Sequence, residues 1–169
     1  MNSRIWVVPL IMSICMLSAC GSGEPPKISI KPDGKFVQGM DHVVNMEVML
    51  DATQRDGRLI AAAGEAVKQV GEQLNAGKPP VSGDFDTLNF WVRAKGIAPA
   101  TNGVADKIIL LTFDRQELQQ IVQFGSDTDT ILSNAHDINW WTPTNDDVID
   151  DYCAGHAGGA FCRKALDAG

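Results

Sequence analysis

Between Ser133 and His156 the chain gathers side chains able to do chemistry: adjacent Trp140 and Trp141, a His136-Asp137 pair, and His156 between Cys153 and Cys162. Paired indoles offer stacking faces for a sugar ring or a cationic group, or an anchor for a protein partner. In the plainer reading one of them plugs an irregular segment onto a sheet, and Trp91 and Tyr152 could join the same cluster. Cys153, His156 and Cys162 form a Cys-x2-His-x5-Cys arrangement, to which His136 would add the fourth ligand of a tetrahedral zinc site. The spacing fits no standard structural zinc pattern closely, so no metal is assigned, and a redox pair or a plain disulfide remains the competing reading.

Ser133, His136 and Asp137 hold the residue types of a hydrolytic triad, but no Gly-x-Ser-x-Gly elbow presents a serine anywhere in the chain. A phosphate-cradling glycine loop, a His-Glu-x-x-His motif and a dinucleotide fingerprint are also missing from the sequence. Asp127-Thr128-Asp129 begins like a calcium loop and then fails, because Ile131 and Leu132 stand where an oxygen ligand and a turn glycine belong. A hydrolase or metalloenzyme built on His136 and His156 is therefore an alternative without a nameable reaction. No catalytic residue and no cofactor is assigned.

Charge separates the partner classes. The 169 residues carry 14 Lys and Arg against 21 Asp and Glu, a net charge of −7, which repels phosphate backbones and excludes nucleic acid as a natural partner. Between Arg115 and Arg163 there is no Lys or Arg, while Glu117, Asp127, Asp129, Asp137, Asp146, Asp147, Asp150 and Asp151 fall in that interval. One acidic face is expected in the C-terminal half, either a solvated surface or a docking patch, with Asp146 and Asp147 as candidates, for a cationic partner.

The elements that must position these residues follow from periodicity. Lys27 to Ile30 suits a short edge strand before a Pro32-Asp33-Gly34 turn. Val44, Met46, Val48 and Leu50 alternate with Asn45, Glu47 and Met49, and Leu88, Phe90 and Val92 with Asn89, Trp91 and Arg93, so each run predicts a strand with one buried face. Leu59, Ala63, Ala66, Val67, Val70 and Leu74 share one face of a helix over Arg58 to Asn75, with Asp56 as its expected N-cap, and Gly64 and Gly71 weaken it unless something packs close to them. Ile108 to Phe113 is apolar without alternation, which predicts a central strand covered on both faces, paired with the Leu88 strand through a turn at Pro99 to Gly103. Asp114 with Glu117 opens a further helix that stops at Gly125, and Asn145 is expected to cap a short helix carrying Asp146 and Asp147. The order β, α, β, β, α, α predicts an α+β fold, a small mixed or antiparallel sheet with helices packed on one face.

The N-terminus indicates where such a domain would work. Arg4 precedes a nearly unbroken apolar run from Ile5 to Leu17, too short for a membrane span of about 20 residues, and Leu17-Ser18-Ala19-Cys20 closes it. This segment resembles the signal of bacterial lipoproteins, the resemblance covering only the first 20 or so residues. It implies a signal peptide over 1–19, an acyl chain on the Cys20 thiol, and a lipidated cysteine with a short tether over 20–26. Gly21 stands where an Asp commonly marks inner-membrane retention in this class, so the resemblance implies the periplasmic face of an outer membrane. In that oxidising space Cys153 and Cys162 are the cysteines left after processing, and a disulfide stapling the C-terminal helix is expected.

Residues 27–169 then form one globular domain, of a size that buries about 70% of its unfolded surface. The tether Gly21 to Pro26 reaches roughly 22 Å at full stretch, which keeps the domain near its membrane. The reading is a membrane-anchored envelope lipoprotein, a non-enzymatic interaction or structural module of an envelope assembly or secretion apparatus, with an envelope protein as partner. A ligand-binding module that uses Trp140 and Trp141 for a glycan or cationic solute is the alternative.

Overall fold

The computed structural model describes residues 24–38, 40–96, 107–141 and 145–168, with side chains up to residue 166. The leader, Cys20 and the Pro99 to Gly103 turn lie outside the described residues. The chain runs β1 (Lys27–Gln38), β2 (Asp41–Asp51), α1 (Arg58–Asn75), β3 (Thr87–Lys95), β4 (Lys107–Asp114), α2 (Arg115–Gln123), α3 (Thr128–Ser133), β5 (Asp137–Trp140), α4 (Asp146–Gly155) and α5 (Ala160–Ala168). Five strands form one mixed sheet in the order β1-β2-β3-β4-β5. Only the β2–β3 pair is parallel, as it must be when α1 carries the chain back across the sheet.

Strand alternation builds the core as expected. Val44, Met46, Val48 and Leu50 on β2, and Leu88, Phe90 and Val92 on β3, point into the helix layer, where almost none of their surface remains exposed. α1 meets them with Leu59, Ala63, Ala66, Val67, Val70 and Leu74, all buried. Gly64 and Gly71 are where other helices approach: a Cβ on Gly64 would lie 2.2 Å from Thr128 Cγ2, and one on Gly71 would lie 2.6 Å from Val122 Cγ2. Their helix-weakening cost is offset by packing that no larger residue permits.

Several elements differ from the sequence reading. β1 does not turn at Pro32-Asp33-Gly34 but runs through it, with a register shift between Pro32 and Gly34 and Gly34 at φ 130°. An edge strand tolerates a proline because its outer side needs no ladder donor. β4 lies inside the sheet as expected, between β3 and β5, but helices cover only one of its faces. The unbroken apolar run has another origin, a register shift opposite Val92/Arg93 that lets Ile108 and Ile109 both be buried, while Leu110 stays half-buried on the helix-free side. α3, β5 and α5 occupy stretches that gave no strong periodic signal.

The caps differ too. Asp114 does cap α2, its carboxylate accepting from the Gln116 and Glu117 N–H groups at 2.8 and 3.0 Å. Asp56 is displaced by one position: Gly57 is the N-cap of α1, its N–H donating to Asp151 of α4 at 2.7 Å, while Asp56 binds the Arg58 N–H and guanidinium. Asn145 sits at the N-cap of α4 without a side-chain cap bond. Fully buried, it accepts from Arg55 and donates to the Lys107 carbonyl at 2.7 Å, tying α4 to the α1 loop and to β4.

Candidate functional site

The helices leave one face of the sheet bare, and strand register decides what lines it. Asn45, Asn89, Thr112 and Asp137 form one row across β2 to β5, and Glu47, Trp91, Leu110 and Asn139 form the next. These side chains bond laterally: Asn89 and the Trp91 indole both donate to Asn45 Oδ1 at 3.2 Å, and Thr112 donates to Asn89 at 2.9 Å. Glu47, 9% exposed, is the hub, reached by Lys31 at 2.5 Å and by Arg93 at 3.2 Å. Hydrogen bonding to Lys31, reinforced by Arg93, holds its carboxyl below the usual carboxylate range against the opposing effect of burial.

Trp140 and Trp141 do not share a platform. Neighbours on an extended chain face opposite sides, and Trp140 pairs in register with buried Ile109, packs against the core, and donates its indole N–H to Asp146 Oδ1 at 3.0 Å. Trp141 instead meets Trp91 at 6.0 Å between ring centroids, and the Lys107 ammonium stands 5.3 Å from Trp141 and 5.8 Å from Trp91. The aromatic cluster thus has a cation of its own. The sequence hinted at Trp91, because it alternates with buried Phe90 and Val92. It gave no signal for Lys107, which reaches the rings only through β3–β4 register.

The other candidates are dispersed. His136 lies at the opposite end of β5 from Trp141, its Nε2 3.3 Å from Glu117, and Ser133 donates to Thr130 in its own helix, so the two are not joined. Asp147 faces Arg55 at 3.5 Å. Cys153 and Cys162 are a disulfide linking α4 to α5, with Cα atoms 5.6 Å apart, so neither thiolate is offered to a metal. His156 stacks on Tyr152 at 4.1 Å and bonds that residue's carbonyl at 2.8 Å. Tyr152 belongs to the helix layer, not to the tryptophan cluster. Burial, with Asp129 and Asp127 adding to it, pushes its hydroxyl up to about 12.

Asp127 caps α3 through the Thr130 N–H at 2.8 Å, and Asp129 accepts from the Ala160 N–H that opens α5 at 3.0 Å, so both carboxylates of the failed calcium motif organise helices. Among the described residues no group of three or more His, Cys, Asp or Glu is arranged to hold a metal ion. No helix among them is long and apolar enough to cross a membrane.

A shallow depression of about 730 Å³ lies at one end of the bare face, lined from all five strands. Asp41, Asp86, Asp114, Asp137 and His136 line it. Asp86 accepts the His42 backbone N–H at 2.9 Å, which holds its carboxyl below the usual range. Asp41, Asp86 and Asp114 precede the cation-free interval that begins after Arg115, so the acidity of this surface is assembled by the sheet and not by that interval alone. Comparison of the chain with protein-family models, with curated proteins and with solved structures returns no match.

Proposed function

We propose that this chain is a lipid-anchored envelope protein without catalytic function, a module that holds a partner-binding surface close to a bilayer. Leu17-Ser18-Ala19-Cys20 after its apolar leader is the observation that carries the reading. The fold is consistent with it. β1 begins at Lys27, directly after the short Gly21 to Pro26 segment, and the described domain has a bare sheet face paved with laterally bonded polar and aromatic side chains. The polar groups there are tied to one another instead of aimed at a common reacting atom, which favours recognition over catalysis. A glycan or solute would find Trp91 and Trp141 on this face, already attended by Lys107, and not a Trp140/Trp141 pair.

The test is the chemistry of residue 20. In a bacterial host, intact mass should show a chain beginning at acylated Cys20, and the protein should fractionate with membranes. Cys20→Ser should release it to the soluble fraction. Recovery of unmodified Cys20, or of the first 19 residues still attached, would remove the anchor and with it the compartment.

A further inference from the structure

The register that leaves one sheet face bare also sorts charge along it. Asp41 of β2, Asp114 of β4 and Asp137 of β5 stand at one end of that face, around the depression that no Lys or Arg lines. Lys27 and Lys31 of β1, Arg93 and Lys95 of β3 and Lys107 of β4 stand at the other end, where Glu47 and Asp51 offset only part of their charge. Asn45, Asn89, Trp91, Leu110 and Thr112 lie between, all half-buried, and no described element covers them. A face whose two ends differ in sign is complementary to itself once a second copy is laid on it with its strands reversed.

We propose that the bare face is the interface of a symmetric dimer, in which two copies stack sheet on sheet about a two-fold axis that runs across the strands. This deepens the interaction role argued above, with a second copy of this chain as the occupant of its surface. Charge fixes the axis. A two-fold axis along the strands would lay acidic end on acidic end. One across the strands, between the Asn89 and Trp91 rows, lays each strand over its own counterpart reversed and brings Asp114 over Lys107 of the partner subunit. Trp91 and Leu110 then supply apolar surface at the centre, inside a charged rim. Area is sufficient. Five strands about 4.8 Å apart, along the nine residues of β3, span roughly 700 Å², close to the roughly 800 Å² that each partner gives a stable interface. The same axis keeps β1 over β1, so both tethers leave one edge of the dimer and reach one bilayer.

The experiment uses the full chain in an uncharged detergent. Sedimentation, corrected for bound detergent, should show a dimer at micromolar concentration. Asp41→Lys with Asp137→Lys cancels charge at the acidic end, and Lys27→Glu with Lys107→Glu cancels it at the cationic end. Either pair should raise the dissociation constant by about tenfold or more. Glu72→Lys with Asp150→Lys, on exposed helix positions away from the face, should change it by less than about twofold. Met49→Cys and Thr87→Cys then report the geometry. They lie roughly 20 Å apart along the strands of one chain, beyond the reach of a short bismaleimide, but come close across the stacked sheets. Chains carrying both cysteines should couple into covalent dimers above the background of the unsubstituted chain, and chains carrying either one alone should not. A monomer at every concentration, equal losses from charge changes on and off the face, or coupling as strong in the single variants as in the double one would each overturn the proposal. Because the readout is self-association, its failure is separate from a finding that Cys20 carries no lipid.

Discussion

Gly64 of α1 shows how much one absent methyl can decide. Judged by helix propensity alone, Gly64→Ala should stabilise the chain by up to about 1 kcal/mol. The new Cβ would lie 2.2 Å from Thr128 Cγ2 and 3.3 Å from Leu132 Cγ, so α3 would have to retreat from a core in which Leu132 is fully buried. Overpacking of this kind costs about 1–3 kcal/mol, and the steric term wins. Urea unfolding of Gly64→Ala should therefore show a net loss of stability, and adding Thr128→Ser, which deletes the clashing methyl yet keeps the hydroxyl that donates to Glu65, should recover much of it. An unchanged or raised midpoint in the single variant would mean that α1 and α3 are not in close contact. The sequence flagged this glycine as needing a close neighbour but could not name it, because α3 is six residues with no periodicity to announce it. The tryptophans failed in the opposite sense. Adjacency in sequence suggested one platform, and strand pleating sent the two rings to opposite sides of β5.

At the scale of elements, helix α1 and strands β2 and β3 were legible because long amphipathic runs carry their own period, and the boundaries of α1 follow from Gly77 as well as from the apolar face. What escaped was set by pairing. β1 continues past Pro32 because β2 offers a partner on its inner side, and β5 is four residues that become a strand only against β4. The C-terminal pair shows the same dependence. α4 and α5 are short, nine or ten residues each, below the length at which an isolated helix holds in water. Phe161 and Ala165 pack α5 into the core, and the Cys153–Cys162 disulfide closes the connection. A loop of about 10 residues restricts the unfolded chain by roughly 2.7 kcal/mol on the chain-entropy account. Reduction, or the pair Cys153→Ser and Cys162→Ser, should lower stability by about 2–3 kcal/mol in urea titrations without abolishing the sheet's circular dichroism. A midpoint indifferent to reductant would show that tertiary packing alone holds the two helices.

For the whole molecule, pH ties stability to the carboxylates that organise the fold. Glu47 is held low by Lys31 and Arg93, Asp56 by Arg58, Asp86 by the His42 N–H, and Asp127 by the Thr130 N–H. Each is easier to protonate in the unfolded chain than in the folded one. Between the depressed folded values and the ordinary carboxylate range, the unfolded state therefore binds more protons, and stability falls as pH falls. The stabilising contribution should be fully present above about pH 5 and lost progressively below it. Glu47 should dominate, being the buried hub, whereas Asp86 and Asp127 are exposed and solvent screens what they add. Urea unfolding from pH 7 to pH 3 should show a plateau and then a decline, and Glu47→Gln should be less stable at pH 7 but decline less steeply. The variant removes the proton-linked group while leaving Lys31 and Arg93 without their shared carboxylate. Equal slopes for the two proteins would place the acid sensitivity elsewhere and strip Glu47 of its role in holding β1, β2 and β3 together. Loss of stability with rising pH over the same interval would reverse the sign of the linkage itself.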